Sequence, residues 1–184
     1  MADASTPPPS NAVPSLIHAF GQVASAELHQ QLWQVFLGSG WRYGSQTDPQ
    51  SPGQPFWHMD LTGCAPAAAL WQGIQARCEG EVGQRLRVIR QYANGHTFGQ
   101  GGKPHTDDHR PGCYTFLYYP MLEWQLGWEG ETLFYSTGGN ILHSVQPRPN
   151  TALLFDSRII HMGRAPSRAC PHLRVSVAFK LEVA

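Results

Sequence analysis

The first half of the chain has apolar positions at helical spacing. After Ser25, a residue type that suits a helix N-cap, apolar residues recur three and four positions apart, and Gly38 follows the last of them. These positions are Leu28, Leu32, Val35 and Phe36. A second pattern of this kind runs over residues 65–79 and ends before Gly80. We predict two helices, the first of which covers a sheet.

After Gly83 the apolar pattern changes to a period of two. Short segments rich in β-branched and aromatic residues alternate with glycine and proline turns. The segments are residues 85–92, 113–119, 130–135, 141–145, 151–156 and 172–182. Many short strands and few helices are typical of a sandwich, a barrel or a jelly roll, and no repeat indicates a propeller or a solenoid. The predicted class is mainly β with supporting helices.

Chain length and composition favour one domain. The 184 residues, of which 41% are hydrophobic, suffice for one substantial core. Residues 1–14 are rich in proline, serine and alanine and predict a disordered tail, and residues 44–55 predict a loop. We therefore predict a single domain over residues 15–184, with helical support over 15–80 and the strand-rich part over 84–183.

The charge balance and the hydropathy pattern argue against nucleic-acid and membrane partners. Thirteen Lys and Arg residues oppose thirteen Asp and Glu residues, without a basic stripe, so no nucleic-acid partner is predicted. The chain has neither a secretory signal nor a run near the ~20 apolar residues that a membrane span needs. We predict a cytoplasmic protein, and the sequence leaves its oligomeric state open. Four dispersed cysteines without a C-x-x-C pair argue against a zinc ribbon or a redox dithiol.

Histidines and aspartates are concentrated in the segment GGKPHTDDHRPG, residues 101–112. If this segment is extended, His105 and Asp107 point to the same side and can hold one metal ion. His161, which ends an apolar stretch, is the best candidate for a third ligand. Two histidines and one carboxylate on one side of an ion leave the opposite positions open, which is typical of non-haem Fe(II) oxygenases.

Other interpretations of these residues stay open from the sequence. A different register would make Asp108 or His109 the ligand in place of Asp107. The same side chains would also suit a hydrogen-bonded surface turn, and His161 would suit an ordinary strand end. His143 and His172 are candidates for either pocket or structural positions.

The final strand predicts an anion site. Its residues alternate strictly, so that Arg174, Ser176 and Ala178 share one face and apolar residues occupy the other. An inward-facing arginine needs an anionic partner, and no carboxylate of the chain obviously provides one. We predict a bound dicarboxylate, held by the guanidinium and helped by the Ser176 hydroxyl. Arg164 and Arg168 are competing candidates, but they lie in a turn rich in glycine, proline and serine.

Together these residues resemble the Fe(II)- and 2-oxoglutarate-dependent dioxygenases, in particular their prolyl-4-hydroxylase-like branch. The resemblance runs from Arg85 to Val183. Its motifs are Y-A-N-G at 92–95, H-T-D at 105–107, T-F-L-Y-Y at 115–119, W-E-G-E-T at 128–132, V-Q-P at 145–147, L-L-F-D at 153–156, the histidine at 161 and R-V-S at 174–176. One departure is Glu129, where many relatives have a second glycine, and it changes that turn or faces the substrate.

The resemblance implies a double-stranded β-helix, a cupin-like jelly roll whose open end holds iron. It implies that His105, Asp107 and His161 bind Fe(II) and that Arg174 anchors the distal carboxylate of 2-oxoglutarate. Tyr118, the first tyrosine of L-Y-Y, resembles the hydroxyl that assists at this carboxylate. Tyr92 resembles a second tyrosine of the pocket. The implied reaction uses O2, converts 2-oxoglutarate to succinate and CO2, and hydroxylates a substrate.

The leading hypothesis is therefore a hydroxylase of this family. The neutral charge and the absence of a peptide-groove signature favour a small-molecule or amino-acid-like substrate. One alternative is a non-catalytic jelly-roll module that keeps a structural metal. Another is a zinc hydrolase that uses the same His-Asp-His site. The presence of Arg174 beside the ligand set argues against both, because neither gives this arginine a task.

Overall fold

The computed structural model describes residues 16–45 and 54–184. The predicted tail over residues 1–14 lies outside the described residues, as does most of the predicted loop over residues 44–55.

Two helices precede most of the strands, α1 (Ala26–Phe36) and α2 (Ala65–Val82). The predicted cap of α1 is confirmed, because the Ser25 Oγ accepts a hydrogen bond from the Leu28 N–H at 3.2 Å. The predicted end of α2 at Gly80 is wrong. The helix continues to Gly83, whose φ of 73° lies in the left-handed region that favours glycine, and whose N–H donates to the Glu79 carbonyl.

The described residues form ten strands. They are β1 (Ile17–Phe20), β2 (Arg42–Ser45), β3 (Phe56–Asp60), β4 (Leu86–His96), β5 (Cys113–Tyr119), β6 (Thr132–Tyr135), β7 (Ile141–Val145), β8 (Thr151–Asp156), β9 (Ile160–Gly163) and β10 (Arg174–Val183). The predicted segments 113–119, 141–145 and 151–156 agree with β5, β7 and β8 at both ends. Strands β1, β2, β3 and β9 were not predicted; each has four or five residues and pairs with a neighbouring strand.

These strands form two antiparallel sheets. The larger has the order β1-β8-β5-β10-β4-β3-β2, and the smaller has the order β7-β6-β9. Long antiparallel strands of distant sequence position lie side by side, as β10 does between β4 and β5. The predicted class is confirmed: the protein is mainly β, with a jelly-roll arrangement and supporting helices.

The two faces of the larger sheet differ in chemistry. One face packs against the helices. There the centre of the Trp71 ring of α2 lies 6.0 Å from the ring centre of Phe179 in β10 and 6.2 Å from that of Phe116 in β5. The other face carries Arg174, Ser176 and further polar side chains into a cavity between the sheets. The apolar core therefore lies on the helix side, and the opposite face is left for binding.

Candidate metal centre and anion pocket

The structure brings His105, Asp107 and His161 together. One ligand atom from each lies within 4.8 Å of the others. The His105 Nε2 is 3.2 Å from the Asp107 Oδ1, and the His161 Nε2 is 3.4 Å from the Asp107 Oδ2. Backbone pairing produces this arrangement: the N–H groups of His105 and His161 each donate to the other residue's carbonyl, at 3.0 and 2.9 Å.

The two imidazole rings are oriented for a metal ion. The His105 Nδ1 lies 2.8 Å from the Lys103 carbonyl, and the His161 Nδ1 lies 2.9 Å from the Ile159 carbonyl. A ring that donates from Nδ1 keeps its Nε2 lone pair for a ligand bond. Burial lowers the pKa of His161 to about 4, so this ring is neutral near pH 7. The donor set of two imidazoles and one carboxylate fits Fe(II).

A lysine fixes the carboxylate of this group. The buried Asp107 Oδ2 accepts hydrogen bonds from the Thr115 hydroxyl at 2.6 Å and from the Lys180 ammonium. Burial opposes the charge on Asp107, but the adjacent Lys180 ammonium holds the pKa of this carboxyl well below its usual value. Sequence reasoning missed Lys180. The signal was present, because the alternation that places Arg174, Ser176 and Ala178 on one face continues to residue 180.

Arg174 is a buried cation that forms no ion pair within the described residues. Its side chain is 1% exposed. The guanidinium donates from Nε to the Gly130 carbonyl and from Nη2 to the Thr132 hydroxyl, the latter at 3.0 Å. Neither acceptor is charged, and Glu131, the carboxylate of the described residues whose charge acts on Arg174, forms its ion pair with Arg164 instead. Burial of a cation beside neutral acceptors favours an anionic ligand.

A cavity of about 290 Å³ connects these groups. Six of the seven predicted site residues line it, and Tyr118 does not. The six are His105, Asp107, His161, Arg174, Ser176 and Tyr92. The metal group and the buried arginine therefore face one shared space.

The assignment of Tyr118 to this pocket is corrected by the structure. Tyr118 points to the helix side of β5, where its hydroxyl donates to the Asn150 Oδ1 at 3.2 Å. Tyr119 has the opposite orientation, since successive strand residues alternate between faces. Its hydroxyl lies 2.7 Å from the Thr132 hydroxyl, and the Arg174 guanidinium lies 5.7 Å from its ring centre. The second tyrosine of L-Y-Y, rather than the first, therefore lies beside Arg174.

Paired substitutions test this correction. Tyr119→Phe removes the hydroxyl that holds Thr132 beside Arg174, so we expect the affinity for 2-oxoglutarate to fall by about 2- to 10-fold. Tyr118→Phe removes only the bond to Asn150, so it is expected to leave this affinity unchanged and to lower stability by about 1 kcal/mol. Calorimetric titration and thermal unfolding of both variants measure the two effects. A larger loss of affinity in Tyr118→Phe would contradict the correction.

The alternative metal ligands lie apart from the group. The Asp108 carboxylate accepts hydrogen bonds from the backbone N–H and guanidinium of Arg110, both at 2.8 Å. His109 is exposed and lies 3.4 Å from the Thr106 hydroxyl. His143 is exposed on β7, and His172 lies 3.1 Å from Glu123.

The competing arginines have other contacts as well. Arg164 forms ion pairs with Glu129 at 3.1 Å and with Glu131 at 3.4 Å. Arg168 lies over the Phe98 ring at 5.1 Å. Glu129 has a φ of 58°, in the region that favours glycine, and its side chain turns to Arg164. This departure from the family pattern thus affects the turn, and Glu129 does not line the cavity.

In the described residues, no helix has both the length and the apolar character that crossing a membrane requires.

A family model supports an oxygenase. The model described as the 2OG-Fe(II) oxygenase superfamily matches residues 89–179, about half of the chain. This range contains the metal group and Arg174. No curated protein sequence matches the chain.

Solved structures share the fold at low sequence identity. A prolyl hydroxylase from Trichoplax adhaerens, in complex with a peptide of hypoxia-inducible factor, has a TM-score of 0.70 and 15% identity over 91% of this chain and 83% of that one. A Pseudomonas putida prolyl-4-hydroxylase has a TM-score of 0.65 and 16% identity, over 90% of this chain and 92% of that one. HygX from Streptomyces hygroscopicus was solved with nickel, 2-oxoglutarate and hygromycin B bound. It has a TM-score of 0.66 and 15% identity, over 91% of this chain and 83% of that one.

Proposed function

Because the chain belongs to the 2OG-Fe(II) oxygenase superfamily and is a dioxygenase that uses Fe(II), 2-oxoglutarate and O2, we propose that it hydroxylates a small-molecule or amino-acid-like substrate. The proposed iron ligands are His105, Asp107 and His161. One observation carries the assignment: this metal group shares a cavity with the buried Arg174, which forms no ion pair within the described residues. A zinc hydrolase or a structural metal module would leave that cation without a function.

The side chains have separate tasks in this proposal. His105 and His161 offer their Nε2 atoms, while Thr115 and Lys180 hold the Asp107 Oδ2 and Oδ1 lies beside the His105 Nε2. When bound, Fe(II) provides the open coordination positions at which 2-oxoglutarate and O2 react. Two charged positions, one at the metal group and one at Arg174, define the direction in which a dicarboxylate lies.

Arg174 selects the cosubstrate in this proposal. Its Nη1, the nitrogen that Gly130 and Thr132 leave unused, can donate to a carboxylate, and these neutral partners keep the guanidinium in place without cancelling its charge. The Ser176 hydroxyl lies one row further along the same face of β10 and contributes a further polar contact. These residues hold the cosubstrate, and the metal group lines the same cavity.

The remaining lining favours a small polar substrate. His58, Tyr92 and Asn94 of β3 and β4 face the same cavity, and the His58 Nδ1 lies 3.3 Å from the Asn94 Oδ1. A cavity of about 290 Å³ that also admits 2-oxoglutarate leaves room for a small molecule or one side chain. Among the similar structures, HygX holds hygromycin B and the Trichoplax enzyme holds a peptide.

An anaerobic titration tests the proposed function. Addition of Fe(II) and then 2-oxoglutarate to metal-free protein is expected to produce a weak visible charge-transfer band, because the cosubstrate binds the metal directly. His161→Ala is expected to lose the band. Admission of O2 should then yield succinate, and mass spectrometry of candidate small molecules should find a product heavier by one oxygen atom. Tight zinc binding without a band would contradict the proposal.

A further inference from the structure

His96, the last residue of β4, is a buried side chain without a hydrogen-bond partner. It is 4% exposed, and neither ring nitrogen has a partner in the described part of the chain. Buried polar atoms are paired in the great majority of cases, and an unpaired one costs about 1–3 kcal/mol. The residue lines the cavity, and its ring has two buried polar atoms that are unused.

The position of His96 relates it to Arg174. The two residues are direct partners in the register of β4 and β10. A Cβ atom added to Gly163 would lie 3.2 Å from the His96 Cε1 and 3.3 Å from the Arg174 Nη1. Both side chains thus approach one point on β9, where only the absence of a side chain leaves space. The Phe56 ring closes the other side of His96, at 4.9 Å between ring centres.

The nitrogen of Arg174 that has no hydrogen bond within the described residues also lies near His96. Nε and Nη2 of Arg174 are used by Gly130 and Thr132, whereas Nη1 has no hydrogen bond to the described residues. Nη1 is also the atom that lies near Gly163 and His96. An anion bound at this edge would lie next to the imidazole ring.

The ring is suited to donate to an anion while uncharged. Burial and the neighbouring charge of Arg174 lower the pKa of His96 to about 3, so it carries one N–H donor and one acceptor near pH 7. A second cation beside Arg174 would be costly, but a neutral donor adds a hydrogen bond without that repulsion.

We propose that His96 is a second binding residue for the carboxylate at Arg174, donating a hydrogen bond to an oxygen that the guanidinium leaves free. The inference rests on the proposed function and deepens it: the ligand is the distal carboxylate of 2-oxoglutarate, or the matching carboxylate of the succinate product. His96 binds directly and does not act through another residue.

A set of variants at this position tests the proposal. Ni(II) replaces Fe(II), so that no turnover occurs, and calorimetry measures the dissociation constant of 2-oxoglutarate. His96→Phe keeps an aromatic ring without a donor and is expected to bind 2-oxoglutarate about 10- to 100-fold more weakly. His96→Asn and His96→Gln place an N–H near the positions of Nδ1 and Nε2, so one of them should recover most of the affinity. His143→Phe, the same change at an exposed histidine, is the control and should bind as the wild type does.

The stability of the metal-free protein separates binding from packing. If His96 binds a ligand, His96→Phe removes two unpaired buried atoms, and the melting temperature without ligands should stay equal or rise. A histidine that only supports the core would instead give a lower melting temperature and an unchanged dissociation constant, which would overturn the proposal.

If the proposed function itself is wrong, the calorimetric titrations give a different result from the one expected for an error at His96 alone. The wild type and all the variants would then bind no 2-oxoglutarate in the presence of Ni(II), and the assignment of His96 would be overturned together with that of Arg174. A wild type that binds 2-oxoglutarate alongside a His96→Phe variant of equal affinity would overturn the assignment of His96 alone.

Discussion

Asp107→Ala is expected to remove Fe(II) binding and all turnover. The carboxylate is the only negatively charged member of the metal group, and the two histidines alone leave two neutral donors. We expect metal affinity to fall by more than about 100-fold, beyond the 10- to 100-fold typical of outer-shell partners. Metal content after dialysis and succinate formation measure the result.

Asp108→Ala is the matched control for this prediction. It removes the adjacent carboxylate, which the sequence left open as a ligand and which contacts Arg110 in the structure. This variant should keep both Fe(II) binding and turnover. Asp107→Ala also leaves Lys180 without its partner, so Asp107→Asn, which retains the shape, and the melting temperatures of both variants separate loss of metal from loss of folding. Loss of iron in Asp108→Ala with retention in Asp107→Ala would reverse the ligand assignment.

Arg174→Met is expected to weaken 2-oxoglutarate binding by about 30-fold or more and to leave metal binding intact. Removing one partner of a buried, hydrogen-bonded charge pair costs about 2–5 kcal/mol. Methionine occupies much of the space of the aliphatic part of the arginine, and the metal group does not include residue 174. Calorimetry with Ni(II) and then 2-oxoglutarate measures both steps on one sample.

Two further variants define this effect. Arg174→Lys keeps the positive charge but loses the planar fork, so its affinity should lie between those of Arg174→Met and the wild type. Arg168→Met removes an exposed arginine that lies over Phe98, and it should bind 2-oxoglutarate as the wild type does. Equal loss of metal in Arg174→Met and Asp107→Ala would contradict the separate roles of the two residues.

Local sequence patterns were sufficient to predict those structural features whose physical cause is local. The Ser25 cap and the alternating faces of β10 depend on neighbouring residues in the chain, and the structure confirms both. The error at Tyr118 has a similar origin. Two consecutive tyrosines on one strand point to opposite sides, and a motif match alone does not say which one faces the cavity.

The amino-acid sequence by itself determined the mainly β class, the positions of most strands, and a set of residue types that fits iron and a dicarboxylate. Only the tertiary structure decided how distant residues meet: that β9 places His161 beside His105, that Lys180 holds Asp107, and that His96 and Arg174 converge on Gly163. The physical reason is that antiparallel pairing joins residues far apart in the chain, and burial there changes the charge state and the hydrogen-bonding needs of each side chain. Neither effect is encoded in the spacing of residues along a single strand.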